Sequence, residues 1–378
     1  MRGHVIGLLV AGVLLAGSTT AASAAAPAGV QQVLDRAVTE GGLPGTIAEV
    51  RDGGRRWFGT AGVADLGTGR LRQQRDRFRI GSTTKTFVAT VMLQLAAEHK
   101  VGLDDPVERW LPSVGTTATV RQLLGQTSGI FNYVQDPELL ATYVGPAFME
   151  HRFDSVTPEQ LVRIAMAHPP VFEPGTDWAY SNTNYVLAGM IIERATGRTL
   201  ATEVTRRIIR PLGLTGTSMP VGDDSSISGP HGRHYSKLLV PDPDARVYDV
   251  TEMNPSWGWG AGNMISTTDD LATYFRALLA GRLLPPAQQR EMFTTVPTHG
   301  WLDNSTYGLG VASVTLSCGR TVWGMGGAIH GSWSYTFGIR DGRHVLTTNV
   351  NGDWANGPWH DPIGVFTDEL EAEFCRAE

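Results

Sequence analysis

Apolar and polar positions follow three different rhythms along this chain. In the first, Val30, Val33, Leu34 and Val38 recur every three to four residues. That spacing predicts a helix over 30–40, ended by Gly41-Gly42. Strand-like stretches at 46–51 and 55–64 flank Asp52-Gly53-Gly54 and read as a β-hairpin. Phe87, Val88, Val91, Met92, Leu95 and Ala96 restore the helical period. That helix opens at Gly81-Ser82-Thr83-Thr84-Lys85-Thr86, with Ser82 and Thr83 as candidate N-caps.

The second rhythm, from 101 to 259, loses strand alternation. Short helical patterns such as 120–126 and 158–167 are separated by Pro, Gly and the breaker Thr127-Ser128-Gly129. A Pro174-Gly175 turn is expected to deliver Tyr180 and Asn182 on a loop before a helix over 185–196, which Gly197 would close. The third rhythm begins with a helix capped by Thr267 or Thr268 and running to 280. Strands then follow at 309–316, 321–325, 332–339 and 345–350, and a helix at 362–374 ends the chain.

Together these elements predict an α/β (α+β) fold: an antiparallel β-sheet flanked by helices, with an inserted all-helical subdomain. Residues 25–100 and 260–378 would form the sheet subdomain and 101–259 the helical one, with the active site between them.

Composition narrows the class. A basic start, an apolar stretch over 5–16 and Ala22-Ser23-Ala24 spell a signal peptide over residues 1–24, hence a secreted protein without a stable membrane anchor. Net charge is −6, and no basic stripe marks a nucleic-acid partner. Cys318 and Cys375 are the only cysteines, and in an exported chain such a pair is expected to be a disulfide. No Cys-x-x-Cys exists, and His231-x-x-His234, among Gly and Pro, reads as a surface loop. No metal or cofactor is expected.

Candidate chemistry centres on Ser82 and Lys85. Three residues apart, their side chains leave one face of the first helical turn. A serine nucleophile needs a nearby base and donors for a developing oxyanion, and a helix N-terminus can supply backbone N–H groups. Tyr180-Ser181-Asn182 adds a phenol that can relay a proton and an amide that can orient a carbonyl.

With these motifs, and with Asp76-Arg77-Phe78-Arg79-Ile80-Gly81-Ser82, Ser256-Trp257 and Leu316-Ser317-Cys318-Gly319, the chain resembles the serine β-lactamase and penicillin-binding-protein superfamily. The Tyr-Ser-Asn form is similar to the class C-like branch and its soluble secreted D-alanyl-D-alanine carboxypeptidases/transpeptidases. The resemblance implies Ser82 as acylated nucleophile, Lys85 as its base and Tyr180 as proton relay. Asn182 would orient the substrate and Trp257 would line the cleft. The backbone N–H groups of Ser82 and Ala328 would form the oxyanion hole. It also implies the Cys318–Cys375 bridge and a peptide or small-molecule acyl substrate, with β-lactams as possible covalent ligands of Ser82.

The chain departs from that family on the strand facing Ser82. Where relatives carry His/Lys-Thr/Ser-Gly, this chain has Met325-Gly326-Gly327, followed by Ala328 and His330; Ala312 stands at the position of a carboxylate-binding arginine. Losing such contacts costs several kcal/mol, at about 1.5–3 kcal/mol for each charged hydrogen bond. The cleft is thus expected to favour an ester or amide without a free carboxylate, as in family VIII esterases, whose Trp-Gly-Gly is similar to Met325-Gly326-Gly327. Met325 is expected on the cleft wall, and His330 is a candidate replacement imidazole. The alternatives to a carboxypeptidase-like hydrolase are an esterase/transacylase on a small metabolite and a non-catalytic binder.

Overall fold

The computed structural model describes residues 28–375; the signal peptide expected over 1–24 lies outside them. Eight antiparallel strands form the main sheet: β1 Gly45–Asp52, β2 Arg55–Gly62, β3 Val296–Pro297, β4 Ser305–Tyr307, β5 Ala312–Thr315, β6 Thr321–Ile329, β7 Ser332–Gly338 and β8 His344–Val350. Their order is β2-β1-β8-β7-β6-β5-β4-β3. The N-terminal hairpin therefore joins the C-terminal strands through the β1–β8 ladder, with Ala48 opposite Thr348 and Glu49 opposite Thr347.

Five helices frame the sheet and the site: α1 Ala28–Thr39, α2 Thr84–Ala97, α3 Asn182–Thr196, α4 Thr268–Leu279 and α5 Pro362–Phe374. The sheet is covered on both faces. The Thr348 hydroxyl donates to Glu369 of α5, while Glu49, one register step away, accepts from Thr268 of α4. Side chains one step apart on a strand point to opposite faces, so α5 and α4 sit on opposite sides. This double cover explains why β8 is buried at six consecutive positions, with the polar Thr347, Thr348 and Asn349 among them.

Several expected boundaries moved for local reasons. Ser82 and Thr83 do not cap α2 through their side chains. Gly81–Thr83 forms a 3₁₀ turn, and α2 starts at Thr84. The α3 helix starts at Asn182, so Asn182 occupies its first turn instead of the preceding loop. Strand β6 runs to Ile329, well beyond Met325. Gly326 and Gly327 interrupt the apolar pattern there, yet the missing side chain of Gly327 lets the strand press against the Ser82 turn. The short strands β3 and β4 carry no clear alternation and had no sequence signal. His234, expected on a surface loop, is almost fully buried.

The Cys318 and Cys375 sulfurs are bonded, with Cα atoms 5.6 Å apart, and tie the β5–β6 turn to the end of α5 across 57 residues. Closing a loop of that length stabilises by about 4 kcal/mol if unfolded-chain entropy dominates. Cys318→Ser is accordingly expected to lower the unfolding free energy by about that amount. Urea denaturation measures it, and an unchanged midpoint would show that this crosslink does not hold the fold. Among the described residues, no helix is long and apolar enough to cross a membrane.

Candidate active site

The nucleophile turn is set by backbone. Gly81 has φ +46°, a conformation that side-chain-bearing residues resist, and a Cβ there would fall 2.5 Å from the Ala328 carbonyl oxygen. On the other side, a Cβ at Gly327 would fall 1.9 Å from the Ile80 carbonyl oxygen and 2.6 Å from Ser82 N. Two glycines facing each other bring β6 against the nucleophile.

That approach leaves the Ala328 N–H of β6 unspent. Ile329 and Ser332 are register partners across the two-residue turn His330-Gly331, which makes them a hydrogen-bonded pair. Ala328 and Trp333 are then a non-hydrogen-bonded pair, whose N–H groups point away from each other. On the other edge, β5 pairs with β6 only from Thr321 to Gly324. The Ala328 N–H therefore faces the Ser82 turn, not a strand.

Lys85 is fully buried. Its Nζ lies 2.9 Å from Ser82 Oγ, 2.7 Å from Asn182 Oδ1 and 2.7 Å from the Ala261 carbonyl oxygen. Burial holds the amine well below its ordinary pKa. Desolvation is the cause of this shift. A neutral amine has two N–H bonds and one lone pair. Two of its three partners are carbonyl oxygens, which only accept, so they take both N–H bonds. The lone pair then faces Ser82, the one partner with a proton to give. This is the arrangement of a base poised on a hydroxyl.

Asn182 is held from behind, since its backbone N–H and its Nδ2 both donate to Asn132 Oδ1, at 3.1 and 3.2 Å. One side-chain N–H is thus committed and one remains. Tyr180 is deeply packed. Burial, then the neighbouring Tyr307, raise its phenol well above the ordinary value, and a contact with Ser82 opposes the rise. Its hydroxyl nevertheless makes no well-formed hydrogen bond. Burial therefore keeps the phenol protonated. Trp301 stacks on the Tyr180 ring at 5.8 Å.

Ser82, Tyr180, Asn182, Trp257, Ala328 and His330 all line one cavity of about 670 Å³. Met325 does not. Its side chain is fully buried in the core, because the strand turns that position away from the cavity, so it is no cleft wall. Gly326 and Gly327 are also absent from the lining; what Gly327 contributes is close approach. Ala312 is buried in β5 and likewise does not reach the cavity. His330 is no substitute cation either. Its Nε2 contacts the Val144 carbonyl oxygen at 3.0 Å, Phe148 stacks on it at 3.8 Å, and burial pushes its pKa down to about 4.

Sequence reasoning missed Asn132, the Ala261 carbonyl and Trp301. Asn132 follows the Thr127-Ser128-Gly129 breaker, but nothing in its spacing marked it. A backbone acceptor has no residue-type signature at all, and Trp301 lies in a connection without periodicity.

Comparison with known proteins now bears on this geometry. The beta-lactamase family profile matches residues 30–359. Among curated proteins, esterase EstB of Burkholderia gladioli is 35% identical over 258 residues, 65% of this chain and 62% of that protein. The chain thus spans under two thirds of that relative's length. Among solved structures, a D-stereospecific amidohydrolase from Streptomyces sp. is 49% identical, with TM-score 0.84 over 93% of this chain and 99% of the other. A D-amino acid amidase from Ochrobactrum anthropi SV3, complexed with L-phenylalanine amide, is 27% identical, with TM-score 0.76 over 90% and 96%. The chain belongs to the beta-lactamase family, a family of serine hydrolases.

Proposed function

We propose that this protein is an acyl-enzyme serine amidohydrolase acting on small amides, and secondarily esters, of apolar D-amino acids without a free terminal carboxylate. The observation that carries this reading is the neutral Lys85 amine facing Ser82 at the base of an aromatic cavity. Trp178, Trp257, Trp301 and Trp333 line that cavity, and neither Arg nor Lys does. A carboxylate would enter without a counter-ion and lose the charge-assisted bonds that hold it in a carboxypeptidase. The similar Streptomyces and Ochrobactrum proteins, by their descriptions, handle D-configured amides.

In this mechanism the Ser82 hydroxyl gives its proton to Lys85 Nζ as Oγ bonds to the substrate carbonyl carbon. The negative charge formed on the carbonyl oxygen is met by the N–H groups of Ser82 and Ala328. The C–N bond then breaks, and the Lys85 proton reaches the leaving nitrogen through the Tyr180 hydroxyl. Water attacks the Ser82 ester by the reverse route and releases the acid.

The test is to incubate the protein with D- and L-phenylalanine amide, p-nitrophenyl acetate and an N-acyl-D-Ala-D-Ala peptide. Expected are a Ser82 adduct with the ester and faster turnover of D- than of L-amide. Preferential release of D-Ala from the peptide would replace this reading with the carboxypeptidase one. The esterase alternative is favoured by the similarity to EstB, and ester turnover without amide turnover would select it. A β-lactam that acylates Ser82 would show the same nucleophile at work. Export is part of the proposal, supported by the pattern over residues 1–24 and by the Cys318–Cys375 pair.

Tyr180→Phe separates chemistry from packing. Activity should fall about 10- to 100-fold through loss of the relay. Stability should hold or rise slightly, because the deleted hydroxyl is buried without a good partner. Calorimetry beside steady-state rates reads both, and a destabilised variant would assign the phenol a structural role.

A further inference from the structure

The cavity that holds Ser82 also reaches Asp353, which follows β8 and lies far from every catalytic motif in sequence. Its carboxylate is fixed in place: Oδ1 accepts the Lys237 N–H at 3.2 Å, and Oδ2 accepts the Gly331 N–H at 3.1 Å. The Ser236 hydroxyl adds a further stabilising contact. All these partners are neutral. The one nearby cation is turned away, since Lys237 Nζ donates to the Pro243 carbonyl and sits 5.3 Å from the Trp354 ring centroid. Asp353 is thus a positioned carboxylate on a cavity wall without a counter-charge among the described residues. Such a group is costly unless something positive meets it.

Strand β6 leads from the reaction centre to this carboxylate. Ala328 borders Ser82, and Gly331, three residues on, donates to Asp353. One strand step to Ile329 and two residues of the turn separate them, a path on the order of 7–10 Å. The wall between is Ile329, His330, Trp257 and Trp333. It is apolar or aromatic, and His330 is neutral over the physiological range. The shape is a reactive carbonyl site, an apolar run and a negative terminus.

Resting on the acyl-enzyme reading above, we propose that Asp353 terminates the acyl-donor subsite and binds an ammonium group about 10 Å beyond the scissile carbonyl. The preferred donors are then acyl groups with an apolar stem ending in an amine, such as ω-amino acyl chains or short peptides whose distal residue carries one. The second carboxylate on the wall, Asp177, is half exposed and lies 3.4 Å from His299. It is the rival anchor.

The test compares p-nitrophenyl esters of octanoate, 8-aminooctanoate and N-acetyl-8-aminooctanoate. In the wild-type protein the free amine should raise kcat/KM at least tenfold over octanoate, acetylation should erase the gain, and 4-aminobutyrate, too short to reach, should show none over butyrate. The amine-to-alkyl ratio should fall to near one in Asp353→Asn and persist in Asp177→Asn. A ratio near one in the wild type, or a ratio lost only in Asp177→Asn, overturns the assignment. If Asp353→Asn fails to fold, the wild-type ratio and its suppression by added octylamine, but not by octanol, decide the matter. Failure of every ester to label Ser82 would strike the acyl-enzyme reading instead, so the two failures are distinguishable.

Discussion

Lys85→Arg is expected to reduce kcat/KM for any acyl donor by about 10²- to 10⁴-fold, the range that a positioned general base supplies. The change keeps a long cationic side chain and so resembles a mild one. It fails because the guanidinium cannot be deprotonated in a protein and has no lone pair to offer Ser82. It also forces a permanent charge into a site where Lys85 is fully buried and burial disfavours the charged form. The same reasoning fixes a sign for pH. Burial lowers the Lys85 pKa, so above that lowered value the amine is free and acylation proceeds. As pH falls through that lowered value, Nζ takes a proton, the lone pair is lost, and acylation declines. Single-turnover acylation against pH, with an ester whose leaving group needs no protonation, isolates this limb. A rate that rises on acidification would refute a neutral-amine base, as would a Lys85→Arg variant with near-normal acylation.

Gly327→Ala should cost about 10²- to 10³-fold in kcat, the effect of removing one oxyanion donor. The added methyl would sit 1.9 Å from the Ile80 carbonyl oxygen and 2.6 Å from the N atoms of Ser82 and Thr83. All three are backbone atoms, and no side-chain rotation relieves the clash. Strand β6 must move off the nucleophile turn and carry the Ala328 N–H out of reach. Gly53→Ala is the control. It adds the same methyl in the β1–β2 turn, at a positive-φ position where nothing lies within 4 Å of the new Cβ. That variant should lose about 1 kcal/mol of stability from backbone strain and keep its activity. Equal kinetic losses in both would mean that general destabilisation, and not the oxyanion geometry, explains the Gly327 effect.

Much of the architecture was legible because it rests on local rules. The final helix falls at 362–374 as the sequence pattern implied, with Asp361 capping it. Thr267 caps α4, and Gly197 ends α3 at φ +65°. These are decisions of a turn or two of chain, so residue type is enough. The Ser82/Lys85 pair is local in the same way, one helical turn apart, and Tyr180 could be picked out by its motif.

What the sequence by itself determined is therefore the short-range chemistry: which hydroxyl has an amine beside it, and which segments coil or extend. Tertiary structure alone decided the state of those groups. Lys85 is a base because the surrounding fold removes water from it, and two carbonyls brought in from distant segments claim its N–H bonds. Tyr180 stays protonated for the same reason. Met325 faces the core and Asp353 faces the cavity, although linear spacing pointed to the first and was silent on the second. Periodicity encodes which face of an element is apolar; it carries no record of which distant groups share that face. Proton affinity and substrate contact depend on those distant neighbours, and they become fixed only when the sheet closes.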